Sequence, residues 1–451
     1  MDTTGLAAWQ RAYFRTGATL PVEARLATLA QLESAVRSKE GMLLDALHAD
    51  LRKTSAEGYM TEVGMVLEEL RFARKHLRSW ARPKRVRTPL AQFPARSFIQ
   101  KEPYGAVLIL APWNYPVQLC LAPLCAALAA GNCVTLKPSA YAPHTSAALR
   151  ELLSALFPPE LVCVVEGGRA ENAALLDQKW DYLFFTGSTA VGRVVLEKAA
   201  KHLTPCSLEL GGKSPCIVDK TADIPLAARR IAFGKLLNAG QTCVAPDYLL
   251  IHRSVRDAFI TAYRAAVSEL YPTDEQLPVI INEKHYLRLC GLLEGEKDLL
   301  SGTPAPSACF LPPSLLDGVT WEAPVMGEEI FGPILPMLVY DELGTELSRL
   351  QEMPKPLALY LFTRDPAVEQ AVLTRLSFGG GCVNDTIIHL ASSRLPFGGV
   401  GDSGMGAYHG IYGFETFTHR KSIVRKGRLD LPMRYPPFTE GKLRLIRKFL
   451  G

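Results

Sequence analysis

The chain reads as an α/β protein, with a doubly wound parallel sheet, a second α/β region after it and a small β-ribbon. Three observations predict this. From residue 106 onward, short apolar runs alternate with stretches of helical periodicity. Before that, residues 1–80 show helical spacing alone. Between the two lies a basic, proline-punctuated stretch, residues 84–102, that fits neither pattern. At 451 residues the chain exceeds one ordinary core, so more than one domain is expected. Hydrophobic residues at 48% and charged residues at 21% exclude global disorder.

Each element follows in order. Ala24, Leu26, Leu29, Leu32 and Val36 recur on one helical face, and Val63, Val66, Leu67 and Leu70 repeat the pattern until Pro83 ends it. In residues 84–102, Pro89 and Pro94 stand among alternating basic and apolar residues, which predicts an extended ribbon. Ala106–Leu110 predicts a buried strand, and a loop over 112–116 leads into a helix over 117–130. Cys133–Lys137 predicts the next strand, 143–156 a helix, and 161–165 and 182–185 two more strands. Strand and helix in turn require parallel pairing with crossovers. A second α/β region starts near Gly211 and runs to about Gly404, and a basic tail follows.

The net charge of +5 is unevenly placed. Residues 71–101 carry ten Lys/Arg and no Asp/Glu, and residues 419–451 carry ten against Asp430 and Glu440 alone, so the rest of the chain is acidic. Neither stretch has the form of a nucleic-acid module, which argues against a nucleic-acid partner. The ten cysteines are irregularly spaced with no C-x-x-C pair, and no nearby histidine completes a zinc pattern at Cys120 and Cys125. A reduced, cytoplasmic protein without a metal is expected. The first five residues lack the basic start and apolar core of a signal peptide. The longest apolar stretch, 119–130, is interrupted by Pro123 and too short to span a bilayer. The last four residues offer no cysteine for prenylation.

Two segments point to chemistry. Gly240-Gln241-Thr242-Cys243 presents a thiol after a turn, and Leu208-Glu209-Leu210-Gly211-Gly212-Lys213 presents a carboxylate at the end of an apolar run. A thiol can attack a carbonyl, and a separate carboxylate can later activate water to release the product. Alone, each has an ordinary reading, as a buried inert thiol and a solvated charge. Thr186-Gly187-Ser188-Thr189 follows a strand and opens a helix, whose free N–H groups suit a pyrophosphate, although a plain turn would look the same. Lys137-Pro138-Ser139 ends a strand with a cation suited to a ribose or phosphate. Trp113-Asn114-Tyr115-Pro116 lies at the sheet edge where α/β folds bind ligands, and its amide suits an oxyanion, although taken alone it reads more simply as a turn-forming asparagine before Pro116. Glu328-Glu329-Ile330-Phe331 sets a carboxylate and an aromatic ring before a turn, and residues 395–401 form a glycine-rich loop.

Taken in order, W-N-Y-P, L-K-P-S, F-T-G-S, L-E-L-G-G-K-S-P, G-Q-T-C, E-E-I-F-G-P and L-P-F-G-G-V-G-x-S-G closely resemble the aldehyde dehydrogenase superfamily over about residues 100–415. The short N-terminus, C-V-A-P-D-Y after the thiol, and V-N-D-T with a following His389 resemble its class 3 branch of fatty and aromatic aldehyde dehydrogenases. The resemblance implies a Rossmann-type cofactor domain from 1–83 and 103–210, an α/β catalytic domain over 211–418, and an oligomerisation ribbon and tail from 84–102 and 419–451. It implies that Cys243 is the nucleophile, that Glu209 activates the hydrolytic water, and that Asn114 with the Cys243 N–H stabilises the oxyanion. It further implies Lys137 on the adenosine ribose, Gly187 and Ser188 at the pyrophosphate, Glu329 on the nicotinamide ribose and Phe331 near the nicotinamide, with no metal. Tyr115, Leu119, Phe233 and Ile387 are expected to wall an apolar tunnel, favouring medium- or long-chain aliphatic or aromatic aldehydes. A homodimer built through the ribbon is expected. Residues 442–450 predict a basic amphipathic helix, packed at the tunnel mouth in the simpler reading and docked on an anionic membrane in the other.

One position departs from the pattern. The family commonly has K-P-S-E, with a carboxylate on the adenosine ribose, and here the fourth residue is Ala140. The cofactor is therefore read as NAD or NADP. A CoA-acylating enzyme is the alternative among catalysts, and Glu209 argues against it because an activated water competes with a thiol for the acyl group. A non-catalytic relative is a further alternative, against which stand the retained Cys243, Glu209 and Asn114.

Overall fold

The computed structural model describes residues 4–450, with side chains as far as Lys448. The extreme ends, residues 1–3 and 451, on which the readings of leader and lipid anchor partly rest, lie outside the described residues. The N-terminal third is helical as its periodicity predicts, with helices Leu6–Arg15, Val22–Ser38, Glu40–Leu51 and Gly64–Trp80. Leu29, Leu32, Val36, Val63, Val66, Leu67 and Leu70 are all buried. A short helix, Ser55–Gly58, starts at Thr54, whose hydroxyl accepts the Glu57 N–H. It runs into a π-turn over Tyr59–Val63 before the long helix begins.

The first sheet has the spatial order Gly404–Met405, Cys206–Glu209, Tyr182–Thr186, Ala106–Leu110, Cys133–Lys137, Val162–Val164. All its pairings are parallel except that of Gly404–Met405 with Cys206–Glu209. Ala106–Leu110 is buried along its whole length because both faces are covered, which is why it reads as an unbroken apolar run. Helix Gln118–Ala130 is buried on every side. The second sheet runs Lys297–Asp298, Ser314–Asp317, Ile334–Tyr340, Tyr248–His252, Pro215–Val218, Ala358–Phe362, Gly380–Val383, parallel except at the Lys297–Asp298 edge. The segment after the second sheet returns to the first: Gly404–Met405 joins it as an edge strand, and helix Gly410–Thr416 packs on helix Gln118–Ala130.

The expected ribbon is a three-stranded antiparallel sheet, Lys84–Val86, Ala95–Pro103 and Thr418–Lys426. The tail ends in helix Glu440–Leu450, which lies beside the turns Leu90–Gln92 and Pro432–Arg434.

Candidate active site

Cys243 is placed by a strained turn. After helix Ile224–Leu236, Asn238, Ala239 and Gly240 take φ of 54°, 52° and 73°, three left-handed residues in a row. At Gly240 a side chain is excluded, since a Cβ there would stand 2.2 Å from the Gly332 carbonyl oxygen. Asn238 and Ala239 adopt a costly conformation, and hydrogen bonds hold it. The Asn238 N–H donates to Glu57 at 2.7 Å, and its amide donates to the carbonyls of Asn114 at 2.7 Å and Gln241 at 3.1 Å. Gln241 donates to the Asn238 and Val279 carbonyls and accepts the Ile281 N–H. The glutamine of the G-Q-T-C segment is thus its structural anchor. The Thr242 and Tyr115 hydroxyls lie 2.5 Å apart, and the Tyr360 hydroxyl donates to the Val244 carbonyl.

One apolar cavity of about 180 Å³ is lined by both Cys243 and Glu209. Tyr115, Leu119, Phe233 and Ile387, the four expected wall residues, line the same cavity. Glu209 is the last residue of its strand and is 2% exposed. Neither of its carboxylate oxygens has a hydrogen-bond partner among the described residues, and burial pushes its pKa well above the ordinary value. Cys243 is partly exposed. Its thiol pKa is raised, first by burial and then by the Glu329 and Glu209 carboxylates, while its own N–H and that of Val244 pull the other way. Two ionisable groups thus share an apolar chamber whose burial favours the neutral form of each.

Asn114 is buried, and its amide donates to the Gln241 carbonyl at 3.0 Å, which sets it against the G-Q-T-C turn. Lys137, Gly187 and Ser188 stand at the C-terminal edge of the first sheet. The Lys137 ammonium donates to the Pro138 and Gly167 carbonyls at 2.7 and 2.6 Å, and burial lowers its pKa against the opposing pull of Glu171 and Glu166. Ser188 caps helix Thr189–Ala200 by accepting the Val191 N–H. Glu329 and Phe331 come from the loop before strand Ile334–Tyr340. A Cβ on Gly211 would lie 2.0 Å from the Glu329 carboxylate, so the glycine makes room for it. Burial, then the Asp247 charge, raises the Glu329 pKa to about 8. Phe331 has φ 53° and meets Trp113 edge-on, with centroids 5.4 Å apart. A second cavity, of about 380 Å³, is lined by Thr189, Gly211, Lys213, Glu329 and Asp402 among others.

This donor set fits a dinucleotide: an open helix start beside Ser188, a cation at a neighbouring strand end, and a buried carboxylate in a glycine-made recess. No group of three or more His, Cys, Asp or Glu able to hold a metal occurs among the described residues.

Sequence reasoning missed Met60, Met65, Gln118, Phe397 and Tyr408, which also line the Cys243 cavity. Met60 and Met65 fall outside the buried helical stripe, and Tyr408 is brought in by an antiparallel bridge to Phe397; neither gives a local signal. Among the described residues none beyond 418 lines this chain's own cavity; strand Thr418–Lys426 pairs along Ala95–Pro103, and the tail helix lies beside the ribbon turn Leu90–Gln92.

The architecture is that of an α/β protein with a thiol and a carboxylate in one apolar cavity, and comparison with known proteins gives the family. The family model described as the aldehyde dehydrogenase family matches residues 6–423. The 4,4'-diaponeurosporen-aldehyde dehydrogenase of Staphylococcus aureus is 47% identical, covering 97% of each chain. Aldehyde dehydrogenase family 3 member B1 of Bos taurus is 43% identical over 97% of this chain and 95% of its own. A solved structure, the substrate-bound state of Staphylococcus aureus AldH, superposes with a TM-score of 0.97 at 45% identity and 98% coverage of both chains. The chain belongs to the aldehyde dehydrogenase family and oxidises aldehydes to carboxylic acids.

Proposed function

We propose that this enzyme oxidises medium- or long-chain aliphatic or aromatic aldehydes, using NAD or NADP, through a covalent intermediate on Cys243. The observation that carries the reading is the shared cavity: Cys243 and Glu209 line one chamber whose other walls are mainly apolar. An apolar chain gains about 25 cal/mol per Å² of surface it hides there, while a small charged aldehyde would lose hydration without replacement. The Staphylococcus aureus relative is named for a diaponeurosporen aldehyde, which supports the same preference.

In this reading the Cys243 sulfur adds to the carbonyl carbon and gives a thiohemiacetal. The Asn114 amide and the Cys243 N–H hold the oxygen that gains charge. A nicotinamide held beside Glu329 and Phe331 would supply the hydride acceptor that passage from thiohemiacetal to thioester requires. Glu209 takes a proton from water, whose oxygen adds to the acyl carbon; the thioester C–S bond breaks and the acid leaves. Lys137, Gly187, Ser188, Glu329 and Phe331 bind and orient the dinucleotide. A carboxylate near Lys137 survives in Glu171, held by the Gly168 N–H at 2.6 Å, while Ala140 withdraws the usual one. Both cofactors should therefore turn over.

The assembly we propose is a homodimer formed through the ribbon, supported by Leu90 and Phe93, which are 70% and 61% exposed on it. We place the enzyme in a reducing, cytoplasmic compartment, a reading supported by ten cysteines at irregular spacings with no C-x-x-C pair. Among the described residues no helix is long and apolar enough to cross a membrane. Contact with an anionic membrane through the basic tail helix remains a second proposal, supported by the exposed Leu443 and Leu445 beside Lys442, Arg444, Arg447 and Lys448. A panel of aldehydes of increasing chain length tests the substrate reading. The expected result is a kcat/KM that rises with length; a flat or falling series would remove the apolar-tunnel argument.

A further inference from the structure

We propose that Lys53 and Glu62 are positioning residues of the reaction, a buried ion pair that holds both ends of the loop presenting Asn114 and Tyr115 to the aldehyde. The inference rests on the oxyanion role proposed above for Asn114. Both side chains are fully buried, with the ammonium 2.6 Å from the carboxylate. Such a pair is weak evidence for stability, because desolvation offsets much of the attraction. What it holds is more telling.

The Lys53 ammonium also donates to the Asn114 carbonyl at 3.1 Å, and it lies 4.0 Å from the centre of the Tyr115 ring. The second oxygen of Glu62 accepts the N–H groups of Val117 and Gln118 at 2.7 and 3.2 Å, at the start of helix Gln118–Ala130. One end of the loop thus hangs from the cation and the other from the anion. The Asn114 carbonyl takes a further bond from Asn238, whose own N–H is fixed by Glu57. The loop is thereby registered against the turn that carries Cys243.

The π-turn over Tyr59–Val63 makes this geometry available. Its extra residue lets Glu62 point into the protein while its neighbours Met60 and Thr61 line the substrate cavity. Apolar wall and charged clamp come from the same turn.

The test uses the full-length enzyme in four forms: Asn114→Ala, Lys53→Met with Glu62→Gln, all three substitutions together, and Glu62→Gln alone. The pair variant removes both charges and so leaves no uncompensated ion behind; Glu62→Gln is near-isosteric and takes its place if that variant does not fold. The expected result is a fall in kcat/KM on the order of 10²-fold, as for small misplacements of reacting groups. Cofactor affinity, read by fluorescence titration with NADH, should be unchanged. In the Asn114→Ala background the same substitutions should cost no more than about twofold further. A native kcat/KM in the pair variant, or losses that multiply in full with Asn114→Ala, would overturn the positioning role while leaving Asn114 in place. A native kcat/KM in Asn114→Ala itself would instead remove the oxyanion reading, and this inference with it.

Discussion

At Cys243 the surroundings work against ionisation, with burial first and the Glu329 and Glu209 carboxylates after it. Glu209 is pushed the same way by burial alone. The proposed mechanism needs a thiolate and then a carboxylate base, so both shifts have one sign: each group gains its active form as pH rises. We therefore expect kcat/KM to be still climbing above pH ~8.5, the ordinary thiol value. A profile between pH 6 and 10 checks this, and a plateau reached below pH 7 would contradict it. Replacing the sulfur is a separate matter. Cys243→Ser leaves the cavity nearly unchanged but offers an unactivated alcohol, and turnover should fall on the order of 10⁶-fold, as when other covalent nucleophiles are removed. Near-native turnover in a folded Cys243→Ser protein would end the assignment. At the cofactor edge, Ala140→Glu should shift the kcat/KM ratio toward NAD by restoring a carboxylate that repels a 2′-phosphate. An unchanged ratio, or native protein with no detectable NADP turnover, would mean that Glu171 already decides the choice.

Among the elements, the ribbon has an outer strand, Thr418–Lys426, that pairs on one side only, and an unpaired edge is a template for another chain. Light scattering at micromolar concentration should show a dimer, and replacing the exposed Phe93 with Glu should weaken it; a monomeric native protein would contradict the proposal. The same scale shows what was legible. Strands such as Ala106–Leu110 and Cys133–Lys137 were readable because both faces are buried and the apolar run is unbroken. Tyr115, Leu119, Phe233 and Ile387, expected as walls of an apolar tunnel, line the cavity that holds Cys243. The buried pair Lys53–Glu62 was not readable. Its partners lie as far as 61 residues along the chain, and a π-turn has no simple periodic signature. The available hint was a charge at position 62, four before Val66, where the helical stripe calls for an apolar residue. The tail's amphipathic pattern predicts the helix that forms at Glu440–Leu450 but carries no information on where the ribbon delivers it.

Across the whole molecule, Glu209 ends a strand of the first sheet, whereas Cys243 lies between strands Pro215–Val218 and Tyr248–His252 of the second, after helix Ile224–Leu236. Folding brings the proposed base and the proposed nucleophile, from distant parts of the chain, into one apolar chamber. A rapid-mix experiment on Glu209→Gln tests those two roles most directly. The variant keeps the size of the side chain but cannot take a proton from water. The expected trace is a burst of NADH near one equivalent per subunit followed by a slow steady state, and intact-mass measurement of the quenched protein should find the acyl group on Cys243. Native turnover without a burst, or an unmodified Cys243 at the end of the burst, would contradict the account.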